Sequence, residues 1–135
     1  MTNEFNLLIS HFNLALELII EATCDNTFDS DGYIMSPNYP QQYENDLDCR
    51  WTITAPVENI IALTIYEFHT ESNGGDKLYI YHGTNIHGAS VRTLSKSESM
   101  PFSSTGDSLY LKFSTDNSVT EKGFKIKADA VGKFT

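Results

Sequence analysis

Three carboxylates in two turns are the residues whose types and spacing favour chemistry in this chain. Glu71 and Asp76 flank the stretch Ser-Asn-Gly-Gly, whose composition predicts a tight turn. Asp116 lies in a second polar turn, residues 114–118, between two predicted strands. If the two turns meet at one end of a β-fold, the three acids lie together, and without a cation they raise one another's pKa values. Three separate, solvated loop acids are the alternative that spacing alone leaves open.

No catalytic constellation accompanies these acids. The stretch from Asp29 to Gly32 resembles part of an EF-hand loop, but no predicted helices flank it. His82 and His87 lie five residues apart, yet nothing supplies matched third and fourth ligands for zinc. No nucleophile elbow positions a serine, and no glycine-rich phosphate loop precedes a helix. We therefore predict that the protein is not an enzyme.

The charge is distributed unevenly along the chain. The formal net charge of −9 argues against nucleic acid as a partner. Residues 1–76 carry thirteen acidic side chains and one basic one, whereas residues 77–135 carry five acidic and eight basic ones. The acidic half suits a cation. The lysines of the second half could form a small basic face, with a solvated surface as the alternative: Lys112, Lys122, Lys125 and Lys127.

The two cysteines, Cys24 and Cys49, allow one disulfide. Closing a loop of that length contributes about 3–4 kcal/mol in the chain-entropy model, and a bridge indicates an oxidising compartment. Two free buried thiols are the alternative. Because Gly32, Pro37 and Pro40 interrupt the segment between the cysteines, we predict an irregular, tyrosine-bearing lid on a small β-fold.

A hydrophobic period of two begins at residue 49. Apolar side chains alternate with polar ones in short runs separated by Gly, Asn, Ser or Pro, at residues 51–55, 61–65, 78–80, 109–113 and 124–128. This pattern predicts an all-β antiparallel β-sandwich with one solvated face on each sheet. The length of 135 residues indicates one domain, and no stretch is long and apolar enough to span a bilayer.

Residues 1–23 differ from the rest of the chain. Apolar side chains recur there at helical spacing, from Phe5 to Ile20. Three interpretations remain open: a degenerate signal-like leader, which we favour, an amphipathic helix that packs on the domain, or mis-assigned sequence at a fragment boundary.

The motifs from Cys24 onwards resemble those of the CUB domain family. They include Ser-Pro-Asn-Tyr-Pro at residues 36–40, Cys49-x-Trp51 and Gly123-Phe. The match leads us to place a CUB domain at residues 24–131 and a C-terminal tail at 132–135. The resemblance implies a jelly-roll-like, spermadhesin-like sandwich in a secreted protein that binds proteins or glycans.

The resemblance also implies a calcium site. Many CUB domains bind one Ca²⁺ in the corresponding loops, and here Glu71, Asp76 and Asp116 would supply side-chain oxygens, with the Ser118 carbonyl and waters completing the shell. Ca²⁺ takes roughly 6–8 oxygen ligands and tolerates irregular loops. In the family, the metal-bound carboxylates accept a Lys or Arg from a protein partner.

One departure from the family pattern concerns the loop itself. Family members commonly carry a second cysteine pair, but the corresponding stretches here are Asn73-Gly-Gly and Leu94-Ser95. The loop at residues 72–75 is therefore short, glycine-rich and less constrained, which bears on its affinity for calcium.

We predict a calcium-dependent protein-binding module. One alternative is a carbohydrate or glycosaminoglycan binder that uses Lys122, Lys125 and Lys127; another is a non-catalytic fragment of a secreted multidomain protease. Tyr43 and Tyr66 are candidate aromatic neighbours of the ligand, with core packing as the alternative role.

Overall fold

The described part of the chain is built from short strands. The structure is a computed structural model that describes residues 24–29, 31–87 and 90–133, so the predicted leader at 1–23 lies outside it. The strands are β1 (Asp25–Asp29), β2 (Gly32–Met35), β3 (Asp48–Thr54), β4 (Asn59–His69), β5 (Lys77–His82), β6 (Arg92–Leu94), β7 (Phe102–Ser103), β8 (Ser108–Ser114) and β9 (Gly123–Gly132). Among these described residues no helix suited to crossing a membrane is found.

The strands form two sheets that pack as a sandwich. One has five strands in the order β1-β3-β8-β5-β6, and the other has four in the order β2-β9-β4-β7. Apart from β1 with β3, each pair of neighbouring strands in the described residues is antiparallel. The predicted all-β antiparallel β-sandwich is therefore confirmed.

The segment between the cysteines does more than cover the sandwich. Its first part, β1, runs parallel to β3, with Asp25 opposite Arg50 and Thr27 opposite Thr52, and its second part, β2, pairs with β9. The predicted irregular lid thus contributes one edge strand to each sheet. Both strands are short, because Gly32 and the prolines that follow interrupt any longer run.

Alternating apolar side chains from both sheets fill the core. Phe124 of β9 is fully buried and contacts three other aromatic rings. Its ring centroid lies 4.9 Å from that of Phe113, 5.5 Å from that of Phe68 and 5.8 Å from that of Trp51. Since these rings come from β3, β4 and β8, Phe124 joins the two sheets at the centre of the sandwich.

The predicted Cys24–Cys49 disulfide is confirmed. It joins the residue before β1 to the fully buried second residue of β3, with a Cα–Cα distance of 5.0 Å. In the described residues no free cysteine remains.

A reciprocal contact fixes the segment after β2 on β9. The Ser36 N–H donates to the Phe124 carbonyl at 3.1 Å, and the Phe124 N–H donates to Ser36 Oγ at 3.0 Å. Further along, the Tyr43 N–H donates to the Glu121 carbonyl at 3.1 Å. This segment therefore brings the Tyr43 ring into the core, 5.1 Å from Phe113, beneath the end of the sandwich where the acidic turns lie.

Candidate functional site

Two loops bring Glu71, Asp76 and Asp116 together. Strands β5 and β8 pair with Lys77 opposite Ser114, so the residues just before β5 and just after β8 lie at the same sheet end. The Asp116 N–H donates to Asp76 Oδ1 at 2.8 Å, which connects the loops directly. One carboxylate oxygen from each of the three acids lies within 4.8 Å of the others. We call these three residues the acidic cluster.

Glu71 is buried without a partner for either carboxylate oxygen. It is 1% exposed, and neither Oε1 nor Oε2 has a hydrogen-bond partner among the described residues. Burial, followed by the nearby carboxylates of Asp116 and Asp76, raises the pKa of Glu71 to about 7. An ionised carboxylate in such surroundings is unfavourable unless something compensates its charge.

Asp76 is buried but well partnered. Its Oδ2 accepts a 2.6 Å hydrogen bond from the Tyr43 hydroxyl, and its Oδ1 accepts the Asp116 N–H. Burial and the hydrogen bond to Asp76 raise the pKa of Tyr43, so its hydroxyl stays protonated. Tyr43 thus occupies the core, its alternative predicted role, while its hydroxyl orients Asp76.

Asp116 lies at the more exposed side of the acidic cluster. Its Oδ1 accepts the Ser118 N–H at 3.1 Å, and this bond is the main reason why the pKa of Asp116 is lowered. Ser118 itself is exposed. The carboxylate of Asp116 is therefore held ionised and oriented by its own loop.

Gly75 forms the floor of the acidic cluster. A Cβ atom at this position would lie 2.7 Å from Glu71 Oε2 and closer still to Asp116 Oδ2. The Gly75 N–H donates to Asn73 Oδ1 at 2.9 Å, and the Gly74 N–H donates to the Glu71 carbonyl at 3.1 Å. The short glycine-rich loop is thus closed by its own hydrogen bonds, and it leaves room for two carboxylates that a larger residue would displace.

The composition of the acidic cluster suits a hard cation. Every candidate ligand atom is an oxygen, and the two oxygens of Glu71 are available. Carboxylate oxygens on irregular loops match the preference of Ca²⁺, whereas structural zinc sites use cysteine and histidine. A divalent cation here would compensate the burial of charge and the neighbouring carboxylates, which together raise the pKa of Glu71.

The other predicted ligand-binding residues lie away from the acidic cluster. Tyr66 is 56% exposed on the four-stranded sheet, where Lys125 and Lys127 stand opposite Met35 and Tyr33 of β2. Lys122 forms an ion pair with Glu67 on that side of the molecule.

Lys112 does not join the other lysines. It lies on β8 of the five-stranded sheet, opposite Arg50 of β3. The hypothesis of one basic face that includes all four lysines is therefore wrong, because the chain places β8 and β9 in different sheets.

Sequence reasoning missed the roles of Gly75 and of the Tyr43 hydroxyl. Gly75 directly precedes Asp76, and this adjacency is visible in the sequence. Both residues act through contacts between separate loops. Tyr43 and Asp76, for example, are 33 residues apart, so no local sequence pattern predicts their contact.

Comparisons with known proteins find the same fold and motifs elsewhere. A model of the CUB domain family matches residues 24–127. Cubilin of Rattus norvegicus is 33% identical over an alignment 116 residues long, and the alignment covers 80% of this chain and 3% of cubilin. Tolloid-like protein 2 of Mus musculus is 34% identical over an alignment 110 residues long, and the alignment covers 78% of this chain and 11% of that protein. The chain thus corresponds to a small part of these relatives.

Solved structures agree with this similarity. The full extracellular region of zebrafish Gpr126/Adgrg6 matches with a TM-score of 0.70 and 29% identity, over 81% of this chain and 15% of that one. The MASP-1 CUB2 domain bound to Ca²⁺ matches with a TM-score of 0.64 and 23% identity, over 77% of this chain and 96% of that one. At 23% identity, the match to the MASP-1 CUB2 domain shows that the two folds are similar.

Proposed function

Because this chain belongs to the CUB domain family, we propose that it is a non-catalytic, extracellular module whose protein-binding surface is organised by one Ca²⁺ ion. The observation that carries this proposal is the buried Glu71 carboxylate, whose two oxygens have no partner among the described residues and face Asp76 and Asp116. Burying an unpaired carboxylate is unfavourable, and a cation that all three acids share removes the penalty.

The ion would be held mainly by the acidic cluster. Glu71, Asp76 and Asp116 supply carboxylate oxygens, and the Ser118 carbonyl with waters would complete the shell, as the family resemblance implies. The choice of Ca²⁺ is supported by the all-oxygen ligand set and by the fold shared with the MASP-1 CUB2 domain, which was solved bound to Ca²⁺.

The bound ion would prepare a surface for a basic partner. The ion would connect the loop at residues 70–76 to the loop at residues 114–118. It would do so in addition to the hydrogen bond from the Asp116 N–H to Asp76. Asp116 is the member of the acidic cluster that solvent reaches. A Lys or Arg of an extracellular protein could therefore approach this carboxylate, which the ion keeps deprotonated and oriented.

Calorimetric titration of the full chain with Ca²⁺ after chelation tests the proposal. We expect saturable binding and a higher melting temperature, since a ligand at 100 times its dissociation constant stabilises the folded state by about 2.7 kcal/mol. Asp76→Asn keeps the shape of the side chain but removes its charge, so it should abolish binding.

Asp107→Asn is the matched control. Asp107 is an exposed loop acid outside the acidic cluster, and its substitution should leave the calcium affinity unchanged. Absence of binding at millimolar Ca²⁺, or equal affinity of the wild type and Asp76→Asn, would contradict the proposal.

The carbohydrate or glycosaminoglycan alternative stays a prediction with a weaker structural basis. Lys122 is paired with Glu67 at 2.9 Å and Lys127 with Asp129 at 2.5 Å. Of the three lysines, Lys125 alone makes no ion pair with the residues that the structure describes. This leaves little uncompensated positive charge for a polyanion.

The fragment alternative also stays a prediction. Since the chain corresponds to 3% of cubilin and 11% of Tolloid-like protein 2, we treat the partners and activities of a whole protein as open. Coding sequence that flanks this chain and encodes a protease domain would support the fragment hypothesis.

A further inference from the structure

The outer face of the four-stranded sheet carries exposed apolar side chains that the acidic cluster does not use. Tyr33, Met35 and Tyr66 are 48%, 45% and 56% exposed, and Lys125 and Lys127 lie among them. We call these five residues the tyrosine patch.

The backbone places these residues side by side. Tyr33 and Met35 of β2 stand opposite Lys127 and Lys125 of β9. On the other side of β9, strand β4 has an irregular register between Ile65 and Glu67, so Tyr66 is the extra residue there. A β-bulge of this kind re-aims a side chain, and here it leaves the Tyr66 ring 5.9 Å from that of Tyr33.

Both lysines of the tyrosine patch rest on an aromatic ring. Lys125 Nζ lies 4.7 Å from the Tyr33 ring centroid, and Lys127 Nζ lies 5.6 Å from it. Lys127 also pairs with Asp129, whereas Lys125 has no ion pair within the described residues. In a chain of net charge −9, the tyrosine patch is therefore an apolar surface with local positive charge.

We propose that the tyrosine patch is a docking surface for an acidic segment of a partner protein, in which aromatic or apolar residues accompany Asp or Glu. Tyrosine and methionine are enriched at the centres of protein interfaces, and a carboxylate of the partner would complement Lys125. The proposal goes beyond the calcium-organised surface and does not rest on it.

The contacts favour a protein segment over an anionic polysaccharide. Both ammonium groups already lie over the Tyr33 ring, which leaves Tyr66 as the one tyrosine of the patch on which a sugar could stack. A polyanion binds most strongly where several cations lack ion-pair partners. In the tyrosine patch, Lys127 is paired with Asp129, and Lys125 is the lysine that makes no ion pair with the described residues. A short acidic segment needs only one or two such cations, together with apolar contacts to Met35 and Tyr66.

Fluorescence anisotropy with a labelled random copolymer of glutamate and tyrosine tests the proposal. The titration uses the full chain in a chelating buffer, so loss of the calcium site cannot affect it. We expect saturable binding that weakens as salt is added, and weaker binding of polyglutamate, which lacks aromatic rings. Lys125→Glu and Tyr33→Ala should each weaken binding by about tenfold.

Lys112→Glu provides the matched control, since it makes the same charge change on the five-stranded sheet. It should alter the affinity by less than about twofold, because that charge is distant from the bound segment. Equal weakening by Lys112→Glu and Lys125→Glu would overturn the proposal, because binding would then reflect net charge. It would also be overturned if the copolymer did not bind, or if heparin alone bound in a manner that depends on Lys125.

Discussion

At the scale of single residues, the three acids of the acidic cluster differ in what holds them. Asp76 is fixed by the Tyr43 hydroxyl and by a backbone N–H, and Asp116 is fixed by the Ser118 N–H. Among the residues that the structure describes, Glu71 has no such donor for its carboxylate. We infer that Asp76 and Asp116 are preorganised, while Glu71 carries most of the unfavourable free energy that an ion would relieve.

Gly75→Ala should abolish calcium binding although no charge is changed. The added methyl group would overlap Asp116 Oδ2 and lie 2.7 Å from Glu71 Oε2, so at least one carboxylate must move away. The φ angle of Gly75 is not in the left-handed region, so a steric effect alone is expected. Titration calorimetry measures the loss.

Gly106→Ala is the control for this prediction. A Cβ atom at Gly106 has nothing within 4 Å, so the calcium affinity should match that of the wild type. Unchanged calcium affinity of Gly75→Ala would show that its carboxylate neighbours are not the ligands.

The raised pKa of Glu71 predicts a pH dependence of stability with a definite sign. Its pKa in the calcium-free fold is about 7, above the ordinary value of 4.5, so the protonated form is favoured on folding. This contribution to the free energy of unfolding is fully present below pH 4.5 and is lost as the pH rises through 7. Glu71→Gln removes it at every pH.

Melting curves in chelating buffer at pH 4.5 and pH 7.5 check this prediction. The wild type should lose stability relative to Glu71→Gln over this interval, and calcium added in excess of the chelator should restore it at the higher pH. If the two proteins kept a constant difference in melting temperature, Glu71 would not titrate in this range.

At the residue scale, the sequence predicted which acids meet but not how they are held. Turn composition and strand ends are local properties, and they showed only that Glu71, Asp76 and Asp116 could meet. The resemblance to the CUB domain family selected these three acids over separate, solvated loop acids. The bond from Tyr43 and the space above Gly75 depend on how loops from distant parts of the chain approach each other. Such contacts leave no periodic signal in the sequence.

At the scale of elements, the contact between Ser36 and β9 connects two of the motifs on which the resemblance to the CUB family rests. Ser36 exchanges two hydrogen bonds with the backbone of Phe124. The preceding residue, Gly123, has a φ of 92°, and a Cβ atom there would overlap Ser36 Oγ. The Ser-Pro-Asn-Tyr-Pro stretch and the Gly-Phe pair therefore form a single hydrogen-bonded contact that holds the end of β2 against the start of β9.

Gly123→Ala should destabilise the fold by about 3 kcal/mol, from left-handed backbone strain together with the overlap with Ser36. Gly83→Ala separates these two effects. Its φ is 84°, but a Cβ atom there has nothing within 4 Å, so only strain of about 1 kcal/mol is expected. Urea unfolding measures both, and equal losses would contradict a role for the Ser36 contact.

The elements were predicted to different degrees. The strands with clean alternation, β3, β8 and β9, were evident from their period of two, because each buries one face. Strand β1 was not evident from the sequence, since Asp, Asn and Thr dominate it and give no apolar alternation. It pairs in parallel with β3 through backbone hydrogen bonds, beside the disulfide. Its position follows from the fold of the whole sheet.

At the scale of the molecule, the two proposed surfaces differ in charge and in place. The acidic cluster lies in loops at one end of the sandwich, whereas the tyrosine patch covers the outer side of the four-stranded sheet. Composition predicted an acidic and a basic half of the chain. It could not predict that Lys112 and Lys125 would lie on different sheets, because sheet membership depends on the pairing of strands distant in sequence.

The Cys24–Cys49 bridge has a mechanical consequence. Tension applied at the N-terminal side of Cys24 passes through the sulfur atoms to β3, which lies between β1 and β8 in the five-stranded sheet. The chain between the cysteines, which includes β1, β2 and Tyr43, bears no force while the bridge is intact. Since the cysteines are 25 residues apart, reduction would release roughly 80–90 Å of additional contour length when the stretched protein unfolds. In an oxidising environment, a pull on the chain therefore reaches the sandwich without first stretching the segment that positions Asp76.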